Sequence, residues 1–370
     1  MSKISICHIT SAHADGDVRI FHKECVSLAE AGYKTNLIIT NSKDRFEQGV
    51  RIWSVDYKPT SRIKRFTKSV DLVYKKALEV DADLYHLHDP ELLRIALKLK
   101  RKGKKVIYDA HEDLPRQVLS KRYINPFVRK LISNIIERYE NSIVKKLDGV
   151  VAATPFIRDR FLKLNKNTVD INNFPILKEL LIEYPYEEKR NKEICYVGGI
   201  TTVRGINELV KALGGTECNL LLAGEFLEHN LKETVVKSEN WDKIEELGFL
   251  DRDGVKKVYE RAKLGIVTLH PISNYIVSLP VKMFEYMAGG IPVVASNFPL
   301  WEEIITKNDA GICVDPLNTD AISNAINYLI DNPDKAKKMG ENGKRMVIEK
   351  YNWNQEKLKL IKLYNDLFSK

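Results

Sequence analysis

The chain has 370 residues, 44% apolar and 29% charged, with a formal net charge of +9. That length suits two domains of ordinary size, and no apolar run approaches the roughly 18–20 residues needed to cross a bilayer. The charge is uneven: residues 1–177 hold 33 Lys and Arg against 21 Asp and Glu, or +12, and residues 178–370 hold 26 against 29, or −3. A basic half points to an anionic partner, against the plainer reading of a solvated Lys-rich surface. The five cysteines (Cys7, Cys25, Cys195, Cys218, Cys313) are scattered and form no C-x-x-C pair. They read as buried free thiols in a reducing compartment rather than as a disulfide or zinc framework. MSKISICHIT runs straight into a strand without a signal-peptide core, so a cytoplasmic location is expected.

Ile4–Ile9 reads as a strand, Thr10–Asp17 as a loop, Val18–Ala31 as an amphipathic helix ended by Gly32, and Tyr33–Thr40 as a second strand. This βαβ unit builds a parallel sheet and places the loop at the carboxyl end of the first strand, where ligands bind. The loop and the helix start offer His13, Asp15, Gly16, Asp17 and Arg19, without a G-x-G-x-x-G fingerprint. Residues 60–80 predict one helix with Ile63, Phe66, Val70, Val73 and Leu78 on an apolar face. Its basic residues (Arg62, Lys64, Arg65, Lys68, Lys75, Lys76) suit water or anionic lipid headgroups. Leu84–His88 is a strand that ends on His86, His88 and Asp89, and Pro90 opens a helix to Arg101. Lys105–Ala110 is a strand that ends on Asp109, His111 and Glu112. Two parallel strands with such ends deliver imidazoles and carboxylates to one sheet edge. Asn125–Leu147 and Pro155–Leu164 read as helices, Gly149–Thr154 and Val169–Ile171 as strands, and Asn172–Glu193 as a linker.

The second half repeats the pattern. Ile194–Val197 is a strand, Gly198-Gly199 a tight turn, Ile200–Arg204 a loop, and Gly205–Leu213 a helix. Leu220–Ala223, Ile244–Gly248 and Leu264–Leu269 follow as strands, with a helix at Gly254–Arg261. In the stretch Asn274–Ser296, Ser278-Leu279-Pro280 starts a helix over Val281–Met287, with Ser as cap and Pro in the first turn. Gly289-Gly290 ends it, and Ile291–Ala295 is a buried strand. Lys282 lies in the first helical turn, against the helix dipole, a placement that makes sense if an anion sits there too. Arg204 has the planar fork for bidentate phosphate contact. Gly198 and Gly199 permit close backbone approach, and the Glu285 carboxylate can accept two ribose hydroxyls. Gly340 and Gly343 mark a break before a last amphipathic helix, Tyr351–Leu367. Three Asp-x-Asp pairs, at Asp15/Asp17, Asp81/Asp83 and Asp251/Asp253, are too short to specify a metal. No His/Cys cluster has zinc spacing, so metal-independent chemistry without a cofactor is expected. A nucleophile elbow and a Walker loop are missing. So is a nucleic-acid motif, and no nucleic-acid partner is expected.

These residues together carry a family resemblance: Asp17-Val18-Arg19-Ile20-Phe21-His22-Lys23-Glu24, His88-Asp89-Pro90-Glu91-Leu92-Leu93, Tyr108-Asp109-Ala110-His111-Glu112, Tyr196-Val197-Gly198-Gly199 through Arg204-Gly205, and the Asn274–Ser296 stretch. Over nearly its whole length the chain resembles a GT-B-fold retaining glycosyltransferase of glycosyltransferase family 4, of the kind found in bacterial surface-polysaccharide (O-antigen or capsule) synthesis. The resemblance implies two Rossmann-like α/β domains facing a central cleft. Residues 1–175 would form the acceptor domain and 176–350 the nucleotide-sugar domain, with a C-terminal helix, 351–370, crossing back. It implies a UDP-linked nucleotide-sugar donor, a lipid-linked saccharide acceptor, and a peripheral position on an anionic membrane surface through the basic N-terminal domain. It places His111 beside the transferred sugar as the catalytic residue, with Asp15, Gly16, Arg19, His88, Asp109 and Glu112 on the acceptor side. It assigns the donor to Gly198, Gly199, Arg204, Ser278, Leu279, Pro280, Lys282 and Glu285, with Arg204 where a phosphate-binding Lys is common. Two positions depart from the family. Val277 replaces the first carboxylate of an E-x7-E pair, so backbone N–H groups of Ser278–Pro280 are expected to hold the donor sugar. Gly199 stands where Arg is frequent, which leaves Lys282 as the second cation on the diphosphate. The alternative is a UDP-sugar epimerase of the same fold, which would convert UDP-N-acetylglucosamine to its manno isomer without an acceptor.

Overall fold

Apolar strands alternating with amphipathic helices build two sheets, each in its own compact unit. The computed structural model describes residues 3–121, 124–180 and 192–369. One unit takes in residues 1–173 and 354–370, the other 174–353. The expected linker Asn172–Glu193 lies partly beyond view, since 181–191 fall outside the described residues. Among the described residues no helix is long and apolar enough to cross a membrane.

The first sheet contains β1 (Ser5–Ile9), β2 (Lys34–Thr40), β3 (Arg45–Glu47), β4 (Val50–Val55), β5 (Leu84–Leu87), β6 (Lys105–Ala110), β7 (Gly149–Ala152) and β8 (Thr168–Asp170). The order is β3-β4-β2-β1-β5-β6-β7-β8, parallel except for the β3–β4 hairpin. That hairpin was not expected. Its first strand is short and polar, and its two-residue turn, Gln48-Gly49, is marked only by positive φ at both positions. Strand alternation sorts the sheet into two unlike faces. Cys7, Ile9, Tyr85, Leu87, Tyr108 and Ala110 join an apolar cluster. The alternate positions His8, His86 and Asp109 are buried too and are polar.

Two expected helices differ in detail. Val18–Cys25 is π-helical before an α-helix, Val26–Glu30, and the Asp17 carboxylate caps it by accepting from the Arg19 and Ile20 amides. Residues 60–80 form three consecutive pieces, Arg62–Lys64, Arg65–Ser69 and Val70–Val80. Val70, Val73 and Ala77 pack inward, whereas Ile63, Phe66 and Leu78 are exposed, so of the expected apolar face only Val70 and Val73 hold. Three pieces with shifting pitch cannot keep one stripe aligned.

The second sheet is wholly parallel: β9 (Glu193–Val197), β10 (Asn219–Ala223), β11 (Ile244–Gly248), β12 (Leu264–Val267), β13 (Val293–Ser296) and β14 (Gly311–Val314), in the order β11-β10-β9-β12-β13-β14. The helix Val281–Ala288 is pinned to this sheet by Tyr286. Its ring covers Gly265, where any Cβ would lie 2.3 Å from it, and its hydroxyl takes the Val197 N–H at 3.0 Å. Lys282, one turn earlier, is thereby carried to the carboxyl end of β9. β13 starts two residues later than expected because Ile291 is spent on the helix cap. Gly290 has φ +67° and the Ile291 amide returns to the Tyr286 carbonyl.

Gly340 and Gly343 do not break the chain; they lie inside the helix Pro333–Glu349. A Cβ on Gly340 would meet the Gly290 carbonyl oxygen at 2.1 Å, and one on Gly343 would meet Met287. Both glycines exist for close approach to the Val281–Ala288 helix end. Helix propensity alone makes Gly340→Ala stabilising by about 1 kcal/mol. The backbone contact makes it destabilising by roughly 1–3 kcal/mol instead. Thermal unfolding of Gly340→Ala should therefore show a lower Tm, and a rise would contradict this packing.

Candidate functional site

In the first unit the polar sheet face and the loop after β1 converge on Asp109, which is fully buried. Arg19 binds it bidentately (Nε–Oδ2 3.2 Å, Nη2–Oδ1 3.0 Å) and donates Nη1 to the Ile171 carbonyl at 2.7 Å. His88 Nδ1 and His111 Nε2 lie 3.2 and 3.1 Å from Asp109 Oδ2. Burial alone would raise this carboxyl, but Arg19, His111 and His88 outweigh it and hold it well below the usual range. Glu24, buried beside it with Oε1 3.2 Å from Arg19 Nε, is pushed well up by burial and by the charge of Asp109, which outweigh Arg19. Burial takes His88 down to about 4. Asp89 accepts from the Ser11 amide (2.6 Å), the Thr10 hydroxyl and His13, which outweigh its burial and pull it to about 2. His13 answers with a raised pKa, Asp89 overcoming burial, and its ring lies 4.8 Å from that of His111.

The structure thus brings Arg19, His88, Asp109 and His111 together. It does not bring Asp15 to them: that carboxylate is held by Arg45 at 2.7 Å and by Ser42. Gly16, at φ +75°, serves the loop turn with open space around it, and Glu112 is exposed and accepts from Gln117. His8, Glu24 and Tyr364 were missed. The signal for His8 was a lone imidazole in SICHI on the same strand parity as His86 and His88 would require.

In the second unit two cations lie against the turn after β9. The Lys282 ammonium is buried, has no hydrogen-bond partner, and sits 3.6 Å from the centre of the Tyr196 ring. Arg204 Nη1 donates to the Gly199 carbonyl at 2.8 Å, as does the Tyr196 hydroxyl at 2.9 Å. A Cβ on Gly199 would fall 2.7 Å from Arg204 Nη1, and Gly198 needs φ +120° with Lys282 Nζ beside it. Burial, with Arg204 adding to it, holds Lys282 well below the usual lysine range. The hydroxyls of Thr201 and Thr268 nearby are buried without partners. A cavity of about 260 Å³ opens at the ends of β9, β10 and β11, lined by Gly198, Gly199, Gly224, Leu227, Phe249 and Leu250.

Glu285 accepts from Arg252 Nη1 at 2.8 Å and from the Tyr259 hydroxyl at 3.0 Å, one on each oxygen. The sequence pattern marks neither partner. Ser278 does not cap the helix. Pro280 occupies that position, and the Ser278 hydroxyl donates to the Tyr275 carbonyl at 2.9 Å. The Ser278 amide is also taken by Tyr275 and Pro280 has none, which leaves Leu279 alone of the three expected donors.

Five of the six Asp-x-Asp carboxylates are engaged otherwise: Asp17 and Asp251 cap helices, Asp15 pairs with Arg45, Asp81 with Lys104, and Asp83 accepts from the Ser5 amide. Among the described residues two groups have potential metal-ligand atoms within 4.8 Å of one another, His8/Glu24/His86/His88 and His88/Asp109/His111. The cysteines are free, Cys313 only half-buried.

Two family descriptions divide the chain. Residues 15–171 match "Glycosyltransferase Family 4" and residues 181–346 match "Glycosyl transferases group 1". An uncharacterized glycosyltransferase of Methanocaldococcus jannaschii is 29% identical over 206 residues, half of each chain. The chain thus spans half the length of that relative. Among solved structures, sucrose-phosphate synthase from Thermosynechococcus elongatus superposes with TM-score 0.79 at 20% identity, over 99% of this chain and all of that one. An Anabaena protein in complex with UDP-glucose gives 0.73 at 14% identity, over 98% and 100%.

A depressed Lys282 means that the folded chain disfavours its proton. Stability therefore rises with pH between the folded and the ordinary lysine values, and at pH 7, below the ordinary value, a penalty is present. Lys282→Met should raise the Tm of the anion-free protein at pH 7 and abolish most of the thermal stabilisation given by pyrophosphate. A lowered Tm, or an unchanged response to pyrophosphate, would contradict the reading of an unmet cation.

Proposed function

The chain belongs to the GT-B glycosyltransferases of the family 4 type, and from that premise we propose that it transfers a sugar, with retention, from a UDP-linked donor to a lipid-linked saccharide in bacterial surface-polysaccharide synthesis. The observation that carries the donor half is the Lys282 ammonium, buried and unpartnered beside Arg204 at a Gly-Gly turn. A diphosphate supplies the missing charge, and the two cations stabilise it further as the sugar bond breaks. The Glu285 carboxylate retains acceptor capacity for the ribose hydroxyls beyond what Arg252 and Tyr259 use, and the cavity beside Phe249 and Leu250 suits the base. The Anabaena neighbour was solved with UDP-glucose, which favours a UDP donor here. With Arg204 and Lys282 meeting the diphosphate, turnover is expected to need no metal and to survive a chelator.

The acceptor half rests on His111. Its Nε2–H directed at Asp109 leaves Nδ1 as the bare nitrogen on a ring about one-fifth exposed, beside His13. That arrangement orients the imidazole toward a sugar hydroxyl. An epimerase needs acid/base carboxylates at the sugar. The carboxyl groups gathered here, Asp89, Asp109 and Glu24, are all buried away from a sugar, which favours transfer.

A peripheral membrane position fits the basic N-terminal unit, but the apolar contact moves from residues 60–80 to the helix Pro126–Val144. Phe127, Leu131, Ile135 and Tyr139 recur every fourth residue there and are all exposed, Phe127 at 87%, with Arg129, Lys130 and Arg138 beside them. That is the pattern of a helix lying in an anionic lipid interface.

Incubation with a panel of nucleotide-sugars, with nucleotide release as the readout, tests the reaction; release from none of them would overturn it. Glu285→Ala should weaken UDP binding at least tenfold, the order of one charge-assisted hydrogen bond. His111→Ala should lower kcat far more than donor affinity. In vesicle sedimentation, the wild-type chain should pellet with phosphatidylglycerol vesicles and not with phosphatidylcholine alone. The double variant Leu131→Glu, Ile135→Glu should lose binding by about tenfold or more; equal pelleting of both proteins would remove this helix from the interface.

A further inference from the structure

Behind His111 stand four buried groups that sugar transfer does not use: His88, His8, Tyr364 and His86. His88 Nε2 lies 2.8 Å from His8 Nδ1, His8 Nε2 lies 3.3 Å from the Tyr364 hydroxyl, and that hydroxyl lies 2.8 Å from His86 Nδ1. His8 and His86 are paired residues on β1 and β5. Tyr364 comes from the helix Trp353–Phe368, the last in the chain. All four are buried, and His86 Nε2 has no partner.

A neutral imidazole has one N–H and one bare nitrogen, so fixing one end of such a chain fixes every member. Ionised Asp109 takes the N–H of His88 Nδ1. His88 Nε2 is then bare and accepts from His8 Nδ1–H. His8 Nε2 accepts from the Tyr364 O–H, and the Tyr364 oxygen accepts from His86 Nδ1–H. The nitrogen left over is His86 Nε2, bare, which is the one found without a partner. His88 Nδ1 also lies 3.2 Å from His111 Nε2, and both nitrogens converge on Asp109 Oδ2; the opposite polarity would leave a buried orphan N–H at His86 Nε2.

We propose that this chain is a lock that keeps His88 neutral, with Tyr364 and His8 as positioning residues that reserve Asp109 for His111. A proton can enter His88 only at Nε2, where the His8 N–H already points. Admitting it means reversing His8, Tyr364 and His86 together. An imidazolium at His88 would claim Asp109 and loosen its hold on His111. The charged and titratable groups around the chain are Asp109, Arg19, His111, His13, Cys25, Tyr33 and Glu24, whose Oε2 lies 3.9 Å from Nδ1 of both His8 and His86. The proposal rests on the reading of His111 as an active-site group. A metal ion on His8, Glu24, His86 and His88 is the competing arrangement. It requires two bare nitrogens, His8 Nδ1 and His88 Nε2, to face each other at 2.8 Å, where the chain puts a proton.

The test is ¹⁵N-histidine NMR on the full chain with Tyr364→Phe, which keeps the ring and removes the hydroxyl. Tyr33→Phe is the control: it removes a different hydroxyl contact to the same helix, at Asn365. In the wild type, His8, His86 and His88 should appear as neutral Nδ1–H tautomers. In Tyr364→Phe the protonation constant of His88 should rise about tenfold, the worth of one hydrogen bond. The acid limb of the activity profile should move to higher pH with it, and Tyr33→Phe should do neither. An unchanged His88 titration in Tyr364→Phe, Nε2–H tautomers in the wild type, or about one equivalent of bound metal in the purified protein would each overturn the lock. A raised His88 titration with an unmoved acid limb would support the lock and overturn the role of His111 instead.

Discussion

The buried carboxylate of Asp109 is the constraint on which the first unit depends. A lone ion in that position would cost several kcal/mol, so everything around it exists to hold its charge. Arg19 meets it from the first helix, and the same guanidinium reaches the Ile171 carbonyl just beyond β8. One side chain thus ties the β1–β2 crossover to the end of β6 and to the far edge of the sheet. Removing either partner strands the other charge, a loss of roughly 3–5 kcal/mol. Glu24 shows the limit of the arrangement: one guanidinium serves two carboxylates, and burial beside Asp109 pushes the second well above the usual range.

The second unit has the opposite imbalance. Lys282 and Arg204 crowd one Gly-Gly turn, and the nearest carboxylate with a stated role, Glu285, is already balanced by Arg252. The first unit is electrostatically closed and the second is open. An open cation pair lowers stability, and in the proposed reading a diphosphate relieves it. The glycines follow from this. Gly198 and Gly199 are small because Lys282 and Arg204 occupy the space a side chain would fill. The replacement of a common Arg by Gly199 is therefore coupled to the conformation of Arg204.

Much of this was legible in the sequence, and the losses have physical causes. Short apolar runs located the strands of both sheets to within a residue or two, apart from the polar β3, its partner β4 and β14. His88, Asp109 and His111 stood out because parallel strands deliver their carboxyl ends to one edge. Lys282 was found because a cation in a first helical turn is electrostatically misplaced. What alternation cannot supply is a long-range partner. Tyr364 lies 278 residues from His86, and nothing in an amphipathic helix marks one tyrosine as polar-facing. Gly340 and Gly343 misled for a related reason: glycine signals either a turn or a close approach, and only the neighbouring helix decides between them.

Glu285 carries the last step. A free carboxylate at a nucleotide site would repel the diphosphate that Lys282 and Arg204 attract. Arg252, which also pairs with Glu179 at 2.9 Å, and Tyr259 ease that conflict by taking one lone pair on each oxygen. A carboxylate has about four lone-pair sites, so two remain, one per oxygen. In the proposed reading these suit the two vicinal hydroxyls of a ribose, and a 2′-deoxyribose would leave one acceptor unmet in a half-closed site. Selectivity for the ribonucleotide then comes from counting hydrogen bonds rather than from charge, and it depends on Arg252 staying in place as much as on Glu285 itself.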